Sequence, residues 1–332
     1  MSFIGQGGFE LDRDHARRAL SDGCSEDDVE ARRIFGFDHR IAATSYAALT
    51  TWLLGDLQEA RELIERAVRE GRDSAHAVTM VMAYAYWSLI EAIRGDAQAV
   101  LGASQTLIQV ADQQRMPHYI SAAKMFSYWA QGSLFDGEAG LTGLGKTLAG
   151  YLEAGNRFCA PFALALRADL EGVNGRMEDA LASAEAGLSL AKETCEHWSD
   201  SHLYRVKGRI LLQCARGDAA LAEDAFSSAI EVARRQGARS LGLRAGLSLA
   251  NLYRSTGRPR DAHAVLALAL EGFSPTAEMP EIAEAQAVLE QLESGDCPII
   301  SGTGSARAGG GAHRGDATDS SARADVCEQK RR

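Results

Sequence analysis

The sequence predicts an all-α fold, an array of about six stacked helical hairpins with a period of 40 residues. The first observation behind this is the stretch Leu243 to Phe273, where apolar residues recur twice at helical spacing. They are Ala245, Leu249, Leu252 and Tyr253, then Ala262, Leu266, Ala269 and Leu270. Between them stands Thr256-Gly257-Arg258-Pro259, where Gly can close one helix and Pro can sit in the first turn of the next. A lone hairpin cannot bury its apolar stripe, so such units stack. The second observation is recurrence. Stepping back from Gly257 gives Gly217 at 40 residues, Gly175 after a further 42, then Phe135, Gly95 and Gly55 at 40 each. The third is a set of small residues at fixed offsets from these turns. Five residues on come Ala60, Val100, Gly140, Ala180, Ala222 and Ala262; twelve on come Ala67, Leu107, Thr147, Gly187, Ala229 and Ala269. Twelve before come Ala43, Ala83, Ala123, Ala163, Arg205 and Ala245, with Arg205 the exception.

The elements follow in order. Residues 1–35 are expected to form an N-terminal helical cap or linker, irregular around Gly5, Gly7 and Gly8 and polar-helical from Leu11 to Leu20. Ser25-Glu26-Asp27-Asp28 reads as a further helix start, its acids suited to the positive end of a helix. The array spans 36–293 and opens with Asp38 as the N-cap of its first helix. Asp38 and His39 lack a nucleophile or third partner at catalytic spacing, so capping is the role expected of Asp38. The second helix, LQEARELIERAVRE, puts Leu57, Ala60, Ile64 and Ala67 on one face and charges on the other. Tyr84, Tyr86 and Trp87 in the second unit read as core aromatics rather than a ligand platform. In the fourth unit Arg167, Asp169 and Glu171 read as a solvated face or groove wall. His197 and His202 fall on different helix faces, which does not suit joint metal binding. Ser199-Asp200-Ser201 starts the fifth unit, whose 42-residue step implies a longer turn around Arg216-Gly217-Asp218. Pro280 to Leu292 form a polar-faced helix suited to covering the end of the array. Residues 294–332, dominated by Gly, Ser, Ala and Arg, read as a disordered tail.

One motif points elsewhere. Gly140-Leu-Thr-Gly-Leu-Gly145-Lys146-Thr147 matches the phosphate-loop pattern GxxxxGK[ST] letter for letter. Such a loop must follow a buried strand, and Ser133 to Ala139 is not one. Gly140 and Thr147 also fall in the small-residue columns of a second helix. The expectation is therefore a helix and a decoy, with no cofactor bound. Gly-rich helices are soft, each exposed interior Gly costing about 1 kcal/mol.

Composition narrows the function. Net charge is −10, from 35 basic and 45 acidic residues, which argues against a general binder of nucleic-acid backbones. The six Cys form no CxxC pair and no metal-like cluster. That usage suits a reduced, cytoplasmic setting. No apolar run reaches membrane-spanning length.

A turn Gly with small residues at these offsets resembles the tetratricopeptide repeat, with a period longer than that family's usual 34. This resemblance implies a right-handed superhelix. TTWLLGDLQEARELIERAVREG, LYRVKG, AEDAFSSAIEVARRQGARSLGLRAGLSLANLYRSTGR and EIAEAQAVLEQL are similar to the C-terminal repeat regions of large bacterial signalling ATPases. In that family the repeats follow a nucleotide-binding domain, itself often preceded by a class III adenylate/guanylate cyclase or winged-helix domain. The similarity covers about Phe35 to Leu292 and includes none of the catalytic domains.

The expected function is therefore a non-enzymatic module that binds a protein or peptide in a concave groove lined by the first helices. The alternative is a split or truncated part of a nucleotide-dependent signalling protein. Positions three and six before each turn anchor share one helix side and nominate Trp52, Trp129, Asp169, Asn251 and Arg254 as groove residues. The Trp residues would be rigid apolar anchors and the others polar contacts. Core packing of both Trp residues is the competing reading.

Overall fold

The computed structural model describes residues 7–21, 36–74, 76–214 and 219–294. Every regular element among them is an α-helix. A leading helix, α1 (Phe9–Ser21), is followed by six pairs. These are α2 (His39–Leu54) with α3 (Leu57–Asp73), α4 (Ala77–Arg94) with α5 (Ala97–Gln113), and α6 (Pro117–Leu134) with α7 (Gly137–Glu153). Then come α8 (Ala160–Val173) with α9 (Met177–Thr194), α10 (Asp200–Gln213) with α11 (Ala219–Gln236), and α12 (Arg239–Ser255) with α13 (Pro259–Leu270). The last helix is α14 (Glu281–Ser294). All belong to one unit, Met1–Pro298; the second, Ile299–Arg332, lies outside the described residues, as do the expected helix start at Ser25–Asp28 and the turn at Gly217.

The pairs form where the turn chemistry dictates. Gly55 and Gly95 end α2 and α4 in the left-handed conformation (φ 97° and 80°). In each turn the next Asp amide reaches back to a carbonyl of the preceding helix, Asp56 to Thr51 and Asp96 to Glu91. Phe135 has no such freedom and turns at φ −134°, with Asp136 capping α7 through the Ala139 amide. Asp38 caps α2 by accepting from the amides of Arg40 and Ile41, as expected.

Small residues then set how closely helices approach. All six residues at the position five after the turn are buried. The tightest backbone-to-backbone approach is Gly132 of α6 against Gly140 of α7, where an added Cβ on Gly140 would lie 2.4 Å from the Gly132 Cα. The exception in the column twelve before the turn also resolves. Backbone hydrogen bonds recur 40 residues apart through this region, Ala163 N to Cys159 O and Leu203 N to Ser199 O, Asn174 N to Leu170 O and Cys214 N to Ile210 O. The two extra residues therefore follow Cys214, and Leu203 rather than Arg205 takes the place of Ala163.

First helices pack on first helices: α2 on α4, α4 on α6, α6 on α8, α8 on α10 and α10 on α12. The circuit then closes, because α12 also packs on α2. This explains why residues 47–54 of α2 are all buried. That helix is enclosed by α1, α3, α4 and α12.

Candidate functional site

Closure of the circuit decides the fate of the expected groove. Trp52 is 1 % exposed and Trp129 8 %, both inside the main apolar cluster. Arg244 of α12 lies over the Trp52 ring at 5.4 Å. Neither indole presents a face to solvent, so the groove role assigned to them is corrected: they hold the core. Asp169 is half-buried and spoken for, accepting from Arg209 one unit later at 3.0 Å. Asn251 and Arg254 are brought together, 3.3 Å apart, with Arg254 also donating to Gln291 of α14 at 3.0 Å. They form a polar patch remote in character from the buried Trp pair.

Two other expectations shift. Glu171 is not on a solvated face; at 1 % exposure it accepts from Arg167 and from Ser183 at 2.8 and 2.6 Å. Among the aromatics of α4, Tyr84 is core, stacked on Trp87 at 5.8 Å, whereas Tyr86 borders a cavity. The Gly140–Thr147 stretch is helical throughout. The Gly140 amide is spent on Asp136 O at 3.0 Å, and Lys146 points into solvent. A phosphate cradle needs free amides converging on one point, which a helix interior does not offer. His197 precedes α10 and pairs with Asp200 at 2.8 Å, while His202 is buried against Phe162, so the two do not share a site. Among the described residues no group of three or more His, Cys, Asp or Glu is placed to hold a metal ion.

The strongest polar feature is the seam where the circuit closes. Ser240 Oγ donates to Leu53 O at 3.1 Å. Arg244, 6 % exposed, donates to the carbonyls of Ile93 and Arg94 and pairs with Glu281 at 2.7 Å. Those carbonyls end α4, where a cation complements the helix dipole. Buried Glu91 is held by Arg61 at 2.7 Å, by Trp87 Nε1 at 2.8 Å and by Arg94. Glu278, in the segment leading to α14, takes Arg61 at 2.8 Å and Arg94 at 3.3 Å. Burial disfavours the Arg61 charge, but the bonds it donates to Glu91 and Glu278 outweigh it and raise the pKa. The seam is a fastening, without nucleophile or proton-transfer pair. Sequence reasoning missed it, although lone charges inside apolar runs, Glu91 in SLIEAIR and Arg244 in GLRAGL, were its signal.

A recess of about 560 Å³ lies as a groove between α11, α12 and α13. Its walls are small or apolar, among them Ala233, Gly242, Gly246, Val265 and Ala269. Leu268, 72 % exposed, stands at its edge. Arg239 is fixed on the rim by donating to Glu271 O at 2.6 Å and by lying 4.7 Å over the Phe273 ring.

No known protein-family profile matches the chain. It is similar to an uncharacterised protein of Rhizobium meliloti (strain 1021), with 24 % identity over 230 residues. The match takes in 69 % of this chain and 22 % of that protein, so the chain spans under a quarter of its relative's length. No helix among the described residues is long and apolar enough to cross a membrane.

Proposed function

We propose that the chain is a non-catalytic, tetratricopeptide-like scaffold, six hairpins in one tight right-handed superhelical turn, that binds an apolar peptide or helix of a partner protein in the groove between α11, α12 and α13. The observation that carries this reading is the unfilled groove itself, with Leu268 72 % exposed beside a floor of Ala and Gly. Exposed apolar patches rimmed by polar groups mark interaction sites. Interior placement of Trp52 and Trp129 moves the expected partner from the inner face to this outer groove. The relative's greater length supports a reading in which such a helical segment forms part of a longer protein; the cytoplasmic signalling role belongs to the proposal.

A photo-crosslinking residue at position 268, compared with one at exposed Glu153, tests the proposal in cells. A discrete adduct at 268 alone is expected, lost on Gly242→Leu. An added Cβ at Gly242 meets only Ala233, at an ordinary 3.5 Å, so the backbone there accepts a side chain, and Gly242 lines the groove that the rest of the Leu would occupy; unchanged urea unfolding of the variant checks that the helices keep their places. Equal adducts from both positions, or an adduct that survives Gly242→Leu, would overturn it.

A further inference from the structure

A second cavity, of about 390 Å³, opens between α4, α6 and the turn from Asn156 to Cys159 that precedes α8. Its floor is Leu89, Phe126, Tyr151 and Cys159, all buried; Tyr86 and Tyr119 stand on its walls, and Phe158, 49 % exposed, stands at its mouth. Five aromatic rings therefore surround it: Tyr86, Tyr119, Phe126, Tyr151 and Phe158. Tyr86 meets Tyr46 and Phe126 meets Phe162 outside the cavity, while Tyr119 lies 4.2 Å from the ring of His118, which also lines it. No two of the five stack on each other among the described ring contacts.

The walls are held in place. Tyr151 Oη donates to Phe158 O at 3.1 Å, and the Cys159 amide donates to Glu196 at 2.7 Å. Cys159 sits at φ 60°, a left-handed conformation that costs a side-chain-bearing residue about 1–3 kcal/mol unless its surroundings enforce it. Here Glu196 enforces it, itself fixed by Trp198 Nε1 at 2.8 Å. The cavity is thus pre-formed rather than a gap between loose side chains. A pre-formed apolar pocket with a few polar groups is the usual build of a small-molecule site.

Charge selects the ligand class. The lining residues include no Lys, Arg, Asp or Glu, and His118 is their one basic side chain. Burial raises the phenols of Tyr86, Tyr119 and Tyr151 and the Cys159 thiol, and it pushes the Glu196 carboxyl up to about 7. The three phenols and the thiol line the cavity, and burial there disfavours added negative charge; Glu196 lies behind the wall, bonded to the Cys159 amide. Tyr86 and Tyr119, both lining residues, have no hydrogen bond from their hydroxyls among the described residues.

We propose that this cavity binds an uncharged, planar aromatic molecule that stacks among the five rings and accepts a hydrogen bond from Tyr86. The proposal is independent of the partner groove, which is lined by other residues of other helices.

The test is a fluorescence titration of the full chain with Nile red, a neutral planar dye, against the anionic dye anilinonaphthalene sulfonate. Saturable one-to-one binding of Nile red is expected, with the anionic dye at least about tenfold weaker. Ala122→Trp, which places a ring in the cavity, should weaken Nile red by about tenfold or more, and Tyr86→Phe by about fivefold. Gly242→Leu should leave it unchanged. Should Ala122→Trp fail to fold, Met82→Trp fills the same space from the opposite wall. Absence of saturable binding, a preference for the anionic dye, or loss on Gly242→Leu without loss on the cavity variants would overturn the proposal.

Discussion

Gly140 and Gly145 occupy the first and last Gly of the phosphate-loop pattern, and the helix reading gives them opposite consequences. In a phosphate loop both would be needed for the backbone to approach the ligand. In α7 they differ in what surrounds them. Around Gly145 the nearest atom to an added Cβ is the mobile tip of Arg167, 4.0 Å away. Gly145→Ala should therefore gain the intrinsic helix preference of Ala over Gly, about 1 kcal/mol. In a body of this size that raises the melting temperature by about 2 °C. Around Gly140 an added Cβ would meet Gly132 Cα at 2.4 Å, Gly132 N at 2.7 Å and Tyr128 O at 2.8 Å, all backbone. No side chain can swing away, so α6 and α7 must part by about 1 Å to restore ordinary contact. Overpacking of this kind costs about 1–3 kcal/mol, and a backbone-on-backbone clash belongs at the upper end. Set against the propensity gain, Gly140→Ala should lose about 2 kcal/mol net. Urea unfolding followed by circular dichroism measures both changes, and magnesium-ATP titration accompanies them. A stabilised Gly140→Ala would refute the packing argument. Micromolar ATP binding abolished by Gly145→Ala or Lys146→Ala would refute the helix reading itself.

Three further outcomes follow from the same geometry. Arg244→Met removes a buried cation from Glu281 and from the end of α4, and should cost about 3–5 kcal/mol in urea unfolding because the carboxylate is left unpaired; a loss below about 1 kcal/mol would mean the seam does not hold the circuit closed. Burial raises the Glu196 pKa to about 7, against bonds from Trp198 and Cys159 that lower it. Between the unfolded value near 4.5 and 7 the folded chain binds the extra proton, so this group's contribution to stability falls as pH rises through that window. Glu196→Gln should match wild type below about pH 4.5 and exceed it by up to about 3 kcal/mol at pH 8; a difference that does not vary with pH would contradict the shift. Trp52 and Trp129 should resist iodide quenching, and each Trp→Ala should cost about 3–5 kcal/mol; ready quenching of either would return it to an accessible surface.

Hairpins were legible in the sequence because their causes are local. A turn Gly must take positive φ, and a small residue must stand where helices approach, so Gly55, Gly95 and Gly257 with Ala60, Ala180 and Ala262 announce themselves at fixed offsets. The buried seam was not legible in the same way. Arg244 reaches Ile93 across some 150 residues and Arg61 reaches Glu278 across 217, and no period within one hairpin records such a pairing. The closest local sign was a charge inside an apolar run, which by itself fits a solvated edge as well.

The groove error has the same root. Counting from turn anchors puts Trp52 and Leu49 on one helix side, but whether that side faces water depends on which later helix covers it. In an open array the inner side of α2 would be a wall. Here α12 returns to cover it, and Arg244 crosses the Trp52 ring. Close approaches such as Gly132 on Gly140 and Gly246 on Ala269 allow neighbouring helices to sit near one another. An inner side that closes on itself has its aromatics committed to the core. What remains open is decided by gaps between neighbours rather than by the inner face: the outer groove beside Leu268, and the ring-lined cavity where the turn at Cys159 stands off from α4 and α6.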